Sequence, residues 1–213
     1  MSFRDFLDEL EKSGLMKHVH EPASPYLEVT KQAWGKGPIL FDDVNGQRCC
    51  LNILGTRELL AKALGISATS AINYLSGVSY SGQVREVESS PFQEVISKPD
   101  LSRLPILTHF QGDGGPYITS GVVVAKYGER LNACVHRLMV LDKERLAARL
   151  VPGRHTHQIC QSANACKDEV PVAIAIGVDP MILVAASTRV PPEMEFRYAS
   201  SLAKRPIELI TLE

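Results

Sequence analysis

The chain has 213 residues, of which 45% are hydrophobic and 22% charged, which suits one large domain or two small ones. Its 23 basic and 24 acidic side chains nearly cancel, so it lacks the basic surface typical of nucleic-acid-binding proteins. No apolar run approaches the roughly 20 residues of a membrane span, which argues against membrane insertion. The charged N-terminus and an odd count of five cysteines favour a reducing, cytoplasmic location.

Residues 1–97 are predicted to form a small α/β domain. Apolar residues at helical spacing (Phe3, Phe6, Leu7, Leu10) predict a first helix that ends near Gly14. Thr56 and Gly65 have the residue types that begin and end a helix, here over residues 57–64. Further predicted elements are a strand at 19–21, a helix at 27–34, and a hairpin of strands 39–41 and 49–53 that turns at residues 43–46.

Residues 98–213 are predicted to be rich in strands. Residues 118–127 and 131–141 read as two paired strands joined by a turn at 128–130. Two more apolar runs, 170–176 and 181–185, are also predicted as strands, and 142–150 as a short helix. These strands are short and separated by turns, so a mainly antiparallel barrel or sheet is expected rather than a parallel doubly wound one.

Candidate ligands occur between residues 132 and 155, with Glu195 as a distant partner. If residues 131–141 alternate as a strand, Asn132, Cys134 and His136 share one face and Arg137 lies on the other. A bulge would let Asn132 and Arg137 converge. Amide, imidazole and carboxylate groups are ligands that divalent cations accept, and arginines in this segment suit phosphate or carboxylate. The alternative is an Asn near a turn and an exposed Arg.

Two further segments are interpreted as polar loops. In residues 152–157 (PGRHTH), at most one of the two histidines, His155 and His157, is expected to be a ligand. Glu193 and Glu195 follow two prolines. The alternative for both loops is that these side chains are simply exposed to solvent. The remaining histidines (His18, His20, His109) have no companion in the sequence and are interpreted as exposed.

Eight segments, taken together and in order, resemble the UbiD-type decarboxylases that use prenylated FMN. They are RDFLDELEKSGLMKHV, GPILFDDVNG, NILGTRELLAKALG, SGVVVAKY, NACVHR, LVPGRH, GVDPMILVAAST and RPIELITLE. The resemblance runs from Phe3 to Leu212 and implies the α+β class. It implies an N-terminal α/β domain (1–97) followed by a mainly antiparallel, flavin-binding split β-barrel (98–213), incomplete in this chain.

The resemblance also implies a function, a site and partners. The function is non-oxidative decarboxylation of an α,β-unsaturated or aromatic carboxylic acid, with prenylated FMN from a flavin prenyltransferase, a divalent ion such as Mn²⁺, and often K⁺. Arg137 would hold the substrate carboxylate. A homo-oligomer is expected, or a complex with a chain that carries the C-terminal half. The implied metal ligands are Asn132, His155 and Glu195, and the implied cofactor contacts are Val135, His136, Arg137, Arg149, Leu150, Val151, Arg154, Ser187 and Thr188.

The sequence departs from the family pattern in two places. Arg189 stands where proline is expected, which disturbs the loop or adds an anion contact. In the family, the motif with the catalytic glutamates lies well after the metal-binding Glu. The present sequence ends at Glu213, before that motif could occur. The alternative hypothesis is therefore a truncated or split subunit that binds flavin and metal but needs a partner for catalysis. A purely structural protein is a third hypothesis, which the intact ligand set disfavours.

Overall fold

The computed structural model describes residues 1–211. In chain order its helices are α1 (Phe3–Lys12), α2 (Glu28–Ala33), α3 (Arg57–Leu64), α4 (Ala71–Gly77), α5 (His155–Ala165), α6 (Pro180–Ser187) and α7 (Glu195–Ala203). Its strands are β1 (Lys17–Val19), β2 (Ile39–Val44), β3 (Gln47–Leu51), β4 (Val84–Glu86), β5 (Tyr117–Ile118), β6 (Val122–Tyr127), β7 (Arg130–Val135), β8 (Leu138–Val140), β9 (Leu146–Ala148), β10 (Val172–Ala175) and β11 (Ile207–Leu209).

These elements form two compact units, each discontinuous in sequence. The first contains residues 1–71, 99–119 and 137–149, and the second contains residues 72–98, 120–136 and those from 150 onward. The chain therefore passes between the units several times, once between residues 98 and 99. The division into independent domains at residue 97 stays a prediction. Within the described residues the strands form open sheets of two or three strands rather than a closed barrel, as expected for an incomplete one.

The N-terminal part of the first unit follows the sequence prediction closely. Thr56 accepts a hydrogen bond from the backbone N–H of Leu59 at 3.3 Å, and Gly65 ends α3 in the left-handed conformation. Strands β2 and β3 form a hairpin whose two-residue turn is Asn45-Gly46, both at positive φ. Strand β1 adds in parallel to β2. Helix α2 and this sheet enclose a core of Ala23, Val29, Ala33, Ile39, Phe41, Val44 and Leu107.

Strands β5, β8 and β9 form a second antiparallel sheet in the first unit, and here a prediction was wrong. The helix expected at residues 142–150 is absent; the segment is a turn followed by β9. The carboxylate of Asp142 accepts hydrogen bonds from the backbone N–H groups of Glu144 and Arg145, at 3.0 and 2.9 Å. This side-chain cap fixes a tight turn and returns β9 onto β8, which overrides the helical propensity of the sequence.

The second unit is built on an antiparallel sheet in the order β10-β6-β7. The predicted pairing of β6 with β7 is confirmed, with Tyr127 opposite Arg130 across the turn. The strand predicted over 131–141 is interrupted, because β7 ends at Val135 and β8 begins at Leu138. The strand predicted at 181–185 is wrong: this segment is helix α6. Asp179 caps it by accepting from the N–H of Met181 at 2.7 Å, and Pro180 occupies its first position.

Candidate metal and anion site

A cavity of about 510 Å³, lined by both polar and apolar residues, lies in the second unit. Strand β7, the first residues of α5 and α7, and the last residues of α6 contribute to its walls. Nine of the twelve predicted site residues line this cavity: Asn132, Val135, His136, Val151, Arg154, His155, Ser187, Thr188 and Glu195. The structure therefore brings together side chains that are up to 63 positions apart in the sequence (Asn132 to Glu195).

Three predicted site residues lie elsewhere. Arg137 and Arg149 belong to the first unit, where the guanidinium of Arg137 lies 5.8 Å from the centre of the Tyr117 ring. The backbone N–H of Arg149 donates to the carbonyl of Arg137 at 3.3 Å. Leu150 belongs to the second unit but does not line the cavity. The convergence of Asn132 and Arg137 thus stays a prediction.

The alternation predicted for β7 is present. Asn132, Cys134 and His136 all contact the hydroxyl of Thr156, which is buried on α5. The Nδ2 of Asn132 donates to Thr156 Oγ1 at 2.9 Å; Cys134 Sγ and His136 Nε2 lie 3.0 and 3.1 Å from the same oxygen. The hydroxyl of Thr156, in the first turn of α5, therefore contacts three alternate side chains that lie on one face of the β7 segment.

His155 and Glu195 were both interpreted as loop residues, and this was wrong, because each is the first residue of a helix. His155 Nδ1 lies 3.4 Å from Glu195 Oε1. The Glu195 side chain is only 6% exposed, whereas that of His155 is 28% exposed. The pair therefore sits at the wall of the cavity with a buried carboxylate behind a more accessible imidazole.

Burial governs the protonation of this site. It raises the pKa of the Glu195 carboxyl, against the lowering effects of its own backbone N–H and of His155. Burial also raises the pKa of the Cys134 thiol, with Thr156 and Asn132 acting in the opposite direction. A cation bound here would favour the charged form of Glu195, and this makes the buried carboxyl a suitable metal ligand.

The other side of the site suits an anion. Helix α5 begins at the cavity, and its N-terminal end carries a partial positive charge from unpaired backbone N–H groups. Arg154, directly before the helix, lines the cavity together with Arg189. Both guanidinium groups belong to residues exposed to solvent, so they can reach a phosphate without being buried unpaired.

The structure adds lining residues that the sequence analysis did not assign to the site. Thr156 escaped notice because residues 152–157 were read as a loop; on a helix, Thr156, Ile159 and Ala163 form one buried face. Arg189 was noted only as a departure from the family pattern, yet it lies in the cavity wall. The other additions are Ala133, Cys134, Gly153, Ala186 and Val190.

Fold and site together define a two-unit α+β protein with a cavity suited to a cation and an anion. The profile of the 3-octaprenyl-4-hydroxybenzoate carboxy-lyase Rift-related domain matches residues 84–213, and that of the N-terminal domain of the same enzymes matches residues 7–77. The chain belongs to the UbiD family of carboxy-lyases.

Relatives of known name agree with this assignment. An anhydromevalonate phosphate decarboxylase of Methanosarcina mazei is 46% identical over 98% of this chain and 50% of its own length. Another, from Archaeoglobus fulgidus, is 36% identical over 96% of this chain and 48% of its own length. The structure also resembles the UbiD-class enzyme HmfF from Pelotomaculum thermopropionicum in complex with FMN, with a TM-score of 0.89, 31% identity, and coverage of 100% of this chain and 51% of HmfF.

An evolved dimeric form of HmfF in complex with prFMN gives the same TM-score of 0.89 at 30% identity, over 100% of this chain and 53% of its own. The chain thus spans about half the length of the relatives that it matches. Among residues 1–211, none of the helices has the length and apolar character needed to cross a membrane.

Proposed function

We propose that this chain forms the flavin- and metal-binding part of a prenylated-FMN-dependent decarboxylase. The observation that carries the proposal is the gathering of nine predicted site residues around one cavity. All residues that line this cavity belong to the second compact unit, and so do the three proposed metal ligands.

The ligand set fits a divalent cation such as Mn²⁺. The hydrogen bonds of Asn132 use its Nδ2, which leaves Oδ1 as the ligand atom; His155 offers an imidazole nitrogen and Glu195 a carboxylate. Oxygen and imidazole ligands are ones that Mn²⁺ accepts, with K⁺ as the companion ion of the family. When held by these three residues, the metal would neutralise the charge of the buried carboxylate and of a nearby phosphate.

The phosphate of the flavin is proposed to lie between this metal and the N-terminus of α5. Arg154 and the hydroxyls of Ser187 and Thr188 would donate hydrogen bonds to its oxygens, and Val135, His136 and Val151 would contact the rest of the cofactor. When bound, prenylated FMN supplies an electron sink for the electron pair left as CO₂ departs.

Arg137 is proposed to hold the substrate carboxylate until CO₂ leaves. It follows His136 directly in the chain, and a guanidinium matches a carboxylate with two parallel hydrogen bonds. Arg149 and Leu150 keep their proposed cofactor contacts from the family resemblance. The acid that protonates the product is proposed to lie outside residues 1–213, in the part of the enzyme that carries the family's glutamate motif.

The proposed substrate is anhydromevalonate phosphate, because the relative with 46% identity over almost the whole chain is named for that activity. Such a substrate carries a second anionic group besides its carboxylate. Arg189, in the cavity wall, provides a cation beyond those that the cofactor phosphate requires. A flavin prenyltransferase is proposed as the cofactor supplier, and a homo-oligomer as the assembly.

The test is an assay of CO₂ release by the whole enzyme of which this chain is proposed to form the binding part, loaded with prenylated FMN and Mn²⁺. Anhydromevalonate phosphate and its unphosphorylated analogue are the matched substrates. We expect turnover of the phosphorylated acid and at least a tenfold lower kcat/KM for the analogue, since the analogue lacks the phosphate that Arg189 is proposed to bind. Turnover of aromatic acids alone would contradict the substrate, and no CO₂ from any acid would contradict the activity.

A further inference from the structure

A cluster of potential metal ligands lies in the first unit, separate from the cavity described above. His18, His20 and Asp42 each place one ligand atom within 4.8 Å of the others. His18 and His20 are two residues apart along β1 and its continuation, so their side chains leave the same face. Because β1 pairs with β2 with Val19 opposite Phe41, Asp42 lies beside His20.

Two close contacts show that these groups already face one another. His20 Nδ1 lies 2.6 Å from Asp42 Oδ2. The two imidazole rings are stacked, with centres 5.6 Å apart and an interplanar angle of 17°. The sequence alone shows no companion for either histidine. The pairing of β1 with β2 brings Asp42, 22 residues after His20, next to it.

A fourth group comes from a different element. Oε1 of Glu11, near the end of α1, lies 2.7 Å from Nε2 of His18. Metal-binding histidines commonly have a carboxylate on their second ring nitrogen, which fixes the ring orientation and raises its basicity. The contact between Glu11 and His18 has this form, and it connects helix α1 to the sheet through the same cluster.

We propose that His18, His20 and Asp42 form a zinc site, with Glu11 as the residue that orients His18. Two imidazoles and one carboxylate are ligands for Zn²⁺, with water completing four-coordination, whereas Ca²⁺ and Mg²⁺ prefer oxygen alone. Tetrahedral binding requires ligand atoms about 3.3 Å apart, given zinc-to-nitrogen bonds of about 2.0 Å. The side chains are exposed enough to make this closure by rotamer changes, with 33% of His18, 75% of His20 and 39% of Asp42 accessible.

The consequence is a cross-link that joins the end of α1 to strands β1 and β2. Helix α1 is otherwise held by the burial of Phe6 and Leu10 and by an ion pair of Glu9 with Lys62 at 3.0 Å. A zinc ion bound only by the folded state stabilises it in proportion to the logarithm of the free zinc concentration. The proposed effect of this site is on the stability of the fold, and it does not depend on the proposed decarboxylase activity.

The test is a Zn²⁺ titration of the metal-free full chain, followed by calorimetry and by the NMR signals of the imidazole nitrogens. The background is His155→Ala, which removes the candidate site in the second unit. We expect one equivalent of zinc to shift the signals of His18 and His20 and to raise Tm. In that background, Asp42→Asn should weaken binding at least tenfold and Glu11→Gln about 10–100-fold.

The matched control is Glu21→Gln, which alters an exposed carboxylate directly after His20. It should leave the zinc affinity unchanged. Equal weakening by Glu21→Gln would show a nonspecific effect of surface charge and overturn the proposal. Zinc affinity that stays unchanged when Asp42→Asn is added to His155→Ala would also overturn the proposal. The absence of any bound zinc in His155→Ala would do the same.

Discussion

At the scale of single residues, the hydroxyl of Thr156 organises one wall of the candidate site. It is shared by Asn132, Cys134 and His136, at 2.9 to 3.1 Å. Both Asn132 and Thr156 are buried, at 3% and 4% exposure, so water does not readily replace a lost partner. The orientation of the proposed metal ligand Asn132 therefore depends on a residue that does not itself bind the metal.

Thr156→Val should lower the free energy of unfolding by about 1–3 kcal/mol, because it removes a hydroxyl that Asn132 and His136 share in a buried position. It should also weaken Mn²⁺ binding about 10–100-fold, as loss of a group that orients a ligand commonly does. Denaturant unfolding and metal titration measure the two effects. Thr156→Ser keeps the hydroxyl and should restore metal binding; if Thr156→Val binds Mn²⁺ as tightly as the wild type, Thr156 does not position Asn132.

In the metal-free protein, Glu195 is expected to make the free energy of unfolding decrease as the pH rises. Burial raises the pKa of this carboxyl in the folded state, so between pH 4.5 and the higher folded value the folded chain binds more protons than the unfolded chain. The contribution of Glu195 to stability is then fully present below pH 4.5 and is lost as the pH rises through the folded pKa. In the presence of a chelator, Glu195→Gln should lack this decline.

Unfolding by urea at pH 4, 5, 6 and 7 measures this difference between wild type and Glu195→Gln. The relative stability of the variant should increase with pH. Glu169→Gln serves as the control, since Glu169 is exposed and is not among the groups that shift the pKa of Glu195, so it should retain the wild-type slope. A difference between wild type and Glu195→Gln that stays constant with pH would show that burial does not perturb Glu195.

At the scale of elements, helix α7 carries Glu195 and packs closely against the segment before β4. A Cβ atom at Gly82 would lie 2.2 Å from the carbonyl oxygen of Arg197 and 2.6 Å from Ser200 Cβ. Ser200 also accepts a hydrogen bond from the backbone N–H of Gln83 at 2.9 Å. The absence of a side chain at Gly82 therefore sets the position of α7.

Gly82→Ala should displace α7, lower the free energy of unfolding by about 1–3 kcal/mol and reduce metal occupancy at Glu195. Thermal unfolding and bound-metal analysis provide the measurements. Gly77→Ala is the matched control, because a Cβ there has open space and no positive φ. Wild-type stability in Gly82→Ala would show that the backbone accommodates the methyl group and that the contact does not fix α7.

Local signals determined which elements could be predicted. Helix α3 was predicted correctly because Thr56 and Gly65 mark both of its ends within the sequence. Helix α6 was not, because its apolar residues fit a strand equally well and the decisive Asp179-Pro180 start was read as a turn. Strand β9 was missed because Asp142 holds a turn that a helix-forming sequence does not show.

The candidate site was predictable in part for the same reason. Alternation along β7 placed Asn132, Cys134 and His136 on one face without knowledge of the fold. The contributions of Thr156 and Arg189 depend on where α5 begins and α6 ends, and the pairing of His155 with Glu195 spans 40 residues. The family resemblance supplied that long-range pairing, which spacing alone does not contain.

At the scale of the whole molecule, the chain spans about half the length of its named relatives, yet the candidate cavity lies within one compact unit. Binding of the flavin phosphate and metal can therefore be measured apart from turnover. A failure of catalysis with intact binding would concern groups outside residues 1–213, whereas a failure of binding would concern the assignment of the site itself.

The most direct measurement of this central claim is the occupancy of FMN and Mn²⁺ in the purified protein, by flavin absorbance and metal analysis, in wild type, His155→Ala and His157→Ala. FMN binding should require Mn²⁺, and His155→Ala should lose both ligands with little change in the Tm of the ligand-free protein. His157→Ala, on the same helix but outside the cavity lining, should keep both. Retention of FMN and Mn²⁺ at wild-type occupancy by His155→Ala would contradict the assignment of Asn132, His155 and Glu195 as the metal site.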